Sequence, residues 1–245
     1  MGLFDDHFNR LRSYLNERKN RPDLIVFEPE QITADWPAGT RNNLVLSSDM
    51  AVELGSPQTA STSFLAWTDQ VDTLNHGRLT LLGPDIPAET RDLVPFGKAV
   101  LVGVEGFDEN NSYERFREME LAKYDIRLLG YMMRAVSQYQ REWSRISHEA
   151  VADNFSLAYL SRALVRVLTA LPYVKAVEVL FVTASVDDVL ELKTIGDDVA
   201  ALTGAMNKMG EEMDFDCSSC EYQPVCDSVS ELKAMKRALQ RNQAS

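Results

Sequence analysis

The segments Lys98-Ala-Val-Leu-Val-Gly-Val104 and Val174-Lys-Ala-Val-Glu-Val-Leu-Phe-Val-Thr183 predict two central β-strands. The first is nearly continuously apolar, which is typical of a strand buried on both faces of its sheet. Between and around them the apolar period becomes helical, because side chains three and four residues apart share one face. The predicted helices are Ser112 to about Ser144, Leu157–Leu171 before Pro172, and Val186 to about Met209.

Shorter β-type segments separated by turns lie on the N-terminal side of these elements. They are Asn43–Ser47, Ser63–Thr68 and Arg78–Leu82, the last ending at a Gly-Pro-Asp turn. In the first predicted helix, Ser112 is a candidate N-cap, and Gly130 is either a close packing point or a break between two helices. Strands that alternate with long helices predict an α/β fold. We expect a Rossmann-like three-layer arrangement with a mixed or parallel sheet.

The chain divides by pattern into three parts. Residues 1–22 form an amphipathic N-terminal helix, residues 23–196 form the central α/β domain, and residues 197–245 form a C-terminal helical segment that carries every cysteine. Within the last part, the sequence after Ser228 predicts a short helix with apolar residues on one face and basic residues on the other.

Composition and charge limit the classes of function that this chain can have. Hydrophobic residues make up 45% of the 245 residues and charged residues 25%, an ordinary globular composition. The formal net charge of −12 would repel phosphate backbones and anionic lipids, so we expect neither a nucleic-acid nor a membrane partner. The sequence has no secretory signal and no apolar run long enough for a membrane span, which predicts a cytoplasmic protein.

The three cysteines are the chemically most specific feature of the sequence. Cys217, Cys220 and Cys226 fall within ten residues, and the first two form a Cys-x-x-Cys step. An odd, local set of thiols in a reducing compartment points to a metal or to redox chemistry rather than to a disulfide framework.

Several metals fit sulfur ligands. Sulfur-only ligation suits an iron–sulfur cluster or zinc. A 4Fe–4S cluster held by three cysteines leaves one iron for another ligand. Structural zinc needs four ligands, and the histidines, at positions 7, 76 and 148, are distant in sequence. A third interpretation has free cysteines or one adventitious disulfide.

Five phrases occur along the chain in an order that resembles one known family. They are Val52–Pro57, Ser63–Asp69, Gly77–Ile86, Trp143–Ser147 and Ala150–Ala152. Together they resemble the β subunit of the carbon monoxide dehydrogenase/acetyl-CoA synthase complex, from about residue 44 to residue 183. That family builds acetyl-CoA from a corrinoid-borne methyl group, carbon monoxide and CoA, at a 4Fe–4S cubane bridged to two nickel sites.

The resemblance implies roles for particular residues. Cys217 and Cys220 match the first two cluster cysteines of the family, and Cys226 matches the third after a shorter gap. Trp143 and Arg145 match a region implicated in CoA access, where the indole would stack on adenine and the guanidinium would meet a phosphate. The alternative is that Trp143 is a packing residue and Arg145 pairs with a carboxylate.

The match to the family is incomplete, and this leaves three functions open. The Cys-Gly-Cys that binds the distal nickel is absent, so we do not expect this chain alone to make acetyl-CoA. The chain could be a truncated iron–sulfur subunit or accessory factor that works with a corrinoid, methyltransferase or redox protein. It could instead be an acyltransferase-like enzyme with an open iron acting on a CoA thioester or small carbonyl. The third function is a binding module with a structural metal.

Overall fold

The two apolar segments lie next to each other near the middle of a five-stranded mixed sheet. The computed structural model describes residues 2–32, 34–39, 48–56, 58–86, 94–135, 142–211 and 220–243. The strands are β1 (Leu24–Phe27), β3 (Ser61–Thr68), β4 (Leu79–Leu82), β5 (Phe96–Val104) and β8 (Val174–Val182). Their order in the sheet is β1-β4-β8-β5-β3.

The sheet contains both kinds of strand pairing. β3 pairs with β5 and β4 pairs with β8 in parallel, whereas β5 and β8 are antiparallel, as are β1 and β4. The predicted α/β fold with a mixed sheet is therefore confirmed. The predicted strand Asn43–Ser47 lies outside the described residues.

Helices pack on this sheet through their apolar stripes. The helices are α1 (Asp5–Arg18), α2 (Ser112–Ala122), α3 (His148–Ala152), α4 (Leu157–Thr169), α5 (Val186–Glu211), α6 (Gln223–Ser228) and α7 (Ser230–Gln243). α5 lies against β3 and β5, α4 lies against β8, and α1 contacts both β3 and α5. Among the helices that the structure describes, none has the length and apolar character of a membrane span.

The predicted helical region from Ser112 to about Ser144, of which residues 136–141 lie outside the described residues, is wrong beyond the short turn at Lys123–Asp125. There the chain forms β6 (Tyr131–Ala135) and β7 (Glu142–Ser147), which pair with β2 (Ala51–Leu54) in a second sheet of order β2-β7-β6. Gly130, with φ of 73°, marks the change. A Cβ there would lie 2.6 Å from the Ser147 hydroxyl oxygen, so glycine is required both for the left-handed turn and for close packing.

The division into three parts stays a prediction. The structure shows that α5 is one helix from Val186 to Glu211 and so passes through residue 196 without a break. Its N-terminal half covers the sheet, and its C-terminal half contacts α6 and α7. This helix therefore joins the central sheet to the segment that carries the cysteines.

Candidate metal centre and adjacent groove

A tight turn and a short helix position the two described cysteines. The Gln223 backbone N–H donates to the Cys220 carbonyl at 3.1 Å, and the Cys226 N–H donates to the Tyr222 carbonyl at 3.0 Å. Pro224 occupies the first turn of α6, where a missing N–H costs nothing. Cys220 and Cys226 are both half-buried and are not linked to each other by a disulfide.

Both cysteines border one small cavity between α5, α6 and α7. The remaining wall includes Met209, Lys208 and Lys236. Thiolate ligation adds negative charge to a cavity that Asp227 also lines, and the two nearby ammonium groups would offset part of this charge. The donor chemistry therefore fits a sulfur-bound metal.

The described residues do not complete a ligand set. Among them, no group of three or more His, Cys, Asp or Glu side chains could hold a metal ion. The predicted third ligand, Cys217, lies outside the described residues. The described residues enclose a space of about 20 Å³ at the two thiols.

A much larger groove lies beside this cavity, and Tyr222 lines both. The ring of Tyr222 packs onto α5 at Gly204, where a Cβ would approach the ring carbons to 2.9 Å. Gly204 therefore allows the cysteine-bearing turn to lie directly against α5. The turn consequently forms one end of the groove.

The groove has a volume of about 400 Å³, within the range of small-molecule sites. Its walls come from β3, from α2 and the turn after it, from β7 and from α5. Apolar side chains such as Phe64, Phe116 and Val199 alternate with polar ones such as Ser63, Arg117 and Asn207. Such a mixed lining can hold an organic molecule and orient its polar end.

A buried group of charges forms part of the groove wall. Lys98 from β5 donates to Glu142 from β7, and the Lys123 ammonium lies 3.2 Å from the second Glu142 oxygen. Lys123 also donates to both oxygens of Glu120 at 2.9 and 3.0 Å. The side chains of Lys98, Lys123 and Glu142 are only 3%, 4% and 9% exposed, so each charge depends on its partners.

Burial has a strong effect on the lysine that lies deepest. It lowers the pKa of Lys98 well below its ordinary value, and the charge of Lys123 lowers it further, against a smaller opposing effect of Glu120. The Glu142 carboxylate is in direct contact with the Lys98 ammonium and favours its charged form. Lys98 itself lies behind the groove wall, which Glu120, Lys123 and Glu142 line.

Trp143 and Arg145 lie on the opposite face of β7 from Glu142, since successive side chains of a strand point to opposite faces. Arg145 pairs with Glu53 of β2 at 2.8 Å, and its guanidinium carbon lies 4.7 Å from the centre of the Trp143 indole ring. Trp143 is half-buried and packs on Ala51 and Met132. Arg145 therefore has the carboxylate partner that the alternative interpretation expected.

Comparison with known families agrees with the fold and with the five ordered phrases. A family described as the CO dehydrogenase/acetyl-CoA synthase complex beta subunit matches residues 39–189, which is more than half of the chain. The chain belongs to this family. The match covers the sheet strands from β2 to β8 and ends in the first turn of α5. Comparison with individual curated proteins gave no match.

Sequence reasoning missed the group formed by Lys98, Glu142 and Lys123. One signal was present, because Lys98 interrupts a strand that is otherwise apolar and predicted to be buried on both faces. A lysine at such a position needs a buried carboxylate partner. The sequence could not identify that partner, because Glu142 was assigned to a helix.

Proposed function

We propose that this chain is an iron–sulfur protein of acetyl-CoA or one-carbon metabolism, in which Cys217, Cys220 and Cys226 hold a 4Fe–4S cluster. The observation that carries the proposal is that Cys220 and Cys226 border one cavity beside Lys208 and Lys236, in a chain of this family. Such a cluster would supply electron transfer or one open coordination position. The chain's own residues would provide the thiolates and the compensating positive charge.

The proposal includes a protein partner, because the family is described as a subunit of a complex. A corrinoid protein, a methyltransferase or a redox protein would meet the cluster end of the groove. The alternative proposal of an enzyme that acts on a CoA thioester or small carbonyl uses the same open position. A cytoplasmic location also stays a prediction.

Direct contact of CoA with Trp143 and Arg145 also stays a proposal. The ion pair between Arg145 and Glu53 means that a phosphate would compete with a carboxylate for the guanidinium. Titration with CoA should therefore quench the Trp143 fluorescence, and the quench should be lost in the Trp143→Phe variant. An equal quench in that variant would assign the signal to another tryptophan and would contradict the contact.

Anaerobic purification of cysteine variants tests the cluster. Wild-type protein should be brown with a broad band at about 400 nm. Cys220→Ser and Cys226→Ser should each lose most of the bound iron, because a serine hydroxyl is a poor ligand for soft metals. Ser228→Ala, in the same short helix, is the matched control and should keep the colour. A colourless wild-type protein with bound zinc would favour the structural-metal alternative instead.

A further inference from the structure

The groove beside the cysteine turn has the properties of a ligand site that is separate from the metal centre. Its volume of about 400 Å³ is bounded by residues of both sheets and of two helices. None of the cysteines described by the structure lines it. Ligand binding in the groove therefore does not require a metal at the cysteines.

Among the described residues, most charged side chains along the groove are paired with an opposite charge, but one arginine is not. Lys193 is paired with Asp197 at 2.5 Å, and Lys123 with Glu120 and Glu142, so the carboxylates are engaged. Arg117, which is exposed on the groove-facing side of α2, has no carboxylate within ion-pair distance among the described residues. One positive group thus remains available in a chain whose net charge is −12.

A hydrogen-bonding group on the floor also lacks a partner. The Ser63 hydroxyl oxygen on β3 is buried, and it has no hydrogen-bond partner within the described residues. A buried hydroxyl without a partner carries a desolvation cost. A bound ligand that accepts a hydrogen bond would remove this cost. Apolar side chains nearby, among them Phe64 and Phe116, would cover a hydrocarbon part of the ligand.

We propose that the groove binds a small organic oxyanion, a carboxylate or a phosphate ester, whose charged end meets Arg117 and whose oxygen accepts from Ser63. The guanidinium can donate two parallel hydrogen bonds to either oxyanion. The carboxylates Glu120, Glu142 and Asp197 also line the groove, and each is held by a lysine, which keeps them from repelling the anion.

Titration of the full chain with three matched probes, followed by ligand-observed NMR, tests this site. Benzoate and phenyl phosphate carry the two candidate anions, and benzamide is a neutral molecule of the same shape as benzoate. We expect a dissociation constant of a few millimolar for at least one anion, which is usual for a ligand of this size. Benzamide should bind about tenfold more weakly or worse.

Three variants locate the binding. Arg117→Gln should weaken the anion about tenfold, whereas Arg166→Gln, which alters an exposed arginine on α4, should change it less than about twofold. Ser63→Ala should weaken binding without lowering the melting temperature, because the hydroxyl has no protein partner to lose. Equal effects of Arg117→Gln and Arg166→Gln, equal binding of benzamide, or no saturable binding of either anion would overturn the proposal.

These outcomes are independent of the proposed metal centre. The same titrations on the Cys220→Ser variant should give unchanged affinities, since Cys220 does not line the groove. If the protein binds the anions but contains no cluster, the groove proposal holds and the metal-centre proposal fails. If it contains a cluster but binds neither anion, the metal-centre proposal holds and the groove proposal fails.

Discussion

Replacing Glu142 by Gln should destabilise the fold strongly, because one carboxylate serves two buried ammonium groups. Lys123 would keep Glu120 at 2.9 Å, but among the described residues Lys98 would keep only the Met133 sulfur, at 3.9 Å, as a hydrogen-bond acceptor. Removing one partner of a buried ion pair costs about 3–5 kcal/mol. We expect a loss in that range at pH 7.

The upper limit follows from the ability of Lys98 to lose its proton. Its ordinary pKa is 10.5, and each pKa unit is worth about 1.4 kcal/mol. Deprotonating Lys98 at pH 7 therefore costs about 5 kcal/mol relative to the unfolded chain. If keeping Lys98 charged cost more than this, Lys98 would lose its proton in the folded variant, so the loss of stability cannot exceed about 5 kcal/mol.

The pH dependence has a definite sign. Burial and the charge of Lys123 lower the pKa of Lys98, and Glu142→Gln removes the carboxylate that opposes them. Between the folded pKa of Lys98 and 10.5 the unfolded variant therefore binds more protons than the folded one, and the variant's stability rises with pH. The defect in Glu142→Gln should therefore be largest near neutral pH and should shrink toward pH 10. A lysine that is already neutral needs no counter-charge.

Urea unfolding of the variant and of wild type measures this loss as a shift in midpoint at constant slope. Glu149→Gln, at an exposed position in the first turn of α3, is the matched control and should change stability by less than about 0.5 kcal/mol. A loss below about 1 kcal/mol in Glu142→Gln would refute the prediction, because an exposed ion pair contributes only about 0–1 kcal/mol and the Lys98–Glu142 pair would then behave as one.

Two further substitutions test packing around the groove and the sheet. Gly196→Ala should lower stability by about 1–2 kcal/mol in thermal unfolding, because the added Cβ would clash with the Thr62 hydroxyl oxygen and lie 2.9 Å from a Phe64 ring carbon. This clash outweighs the better helix propensity of alanine, so a raised melting temperature would contradict the prediction. Asp85→Ala should lower the free energy of unfolding by about 1 kcal/mol, because Asp85 accepts a hydrogen bond from the Leu157 N–H at 2.9 Å at the start of α4. An unchanged urea midpoint would show that this cap contributes nothing to stability.

The elements that the sequence predicted are those with strong local signals. Both central strands are mostly apolar segments, and α4 begins after an N-cap serine, Ser156, and ends before Pro172. α5 also begins and ends close to its predicted residues, and α7 begins close to its predicted start. In each case the local pattern and the tertiary environment favour the same structure.

The second sheet could not be predicted because its strands carry weak signals. Tyr131 and Met132 continue a helical spacing that starts in α2, although α2 ends at Ala122 and Gly130, with its positive φ, precedes β6. β2 is four residues long, and its pairing with β7 joins positions about ninety residues apart. Such pairing depends on contacts distant in sequence, which a local pattern does not report.

The candidate site was predictable only in its cysteines. Their spacing is local, whereas Lys98, Lys123 and Glu142 come together from three separate elements. Arg145 was correctly given a carboxylate as one of two alternatives, but the identity of that carboxylate, Glu53, depends on the strand register between β2 and β7. Residues brought together by tertiary structure have no fixed sequence spacing.

Metal and sulfide analysis of the anaerobically purified full chain tests the central claim most directly. The proposed cluster requires about four iron atoms and about four acid-labile sulfides per chain, lost together when Cys217, Cys220 and Cys226 are all replaced by serine. A wild-type chain that contains no iron, or that contains about one zinc ion and no sulfide, would contradict it.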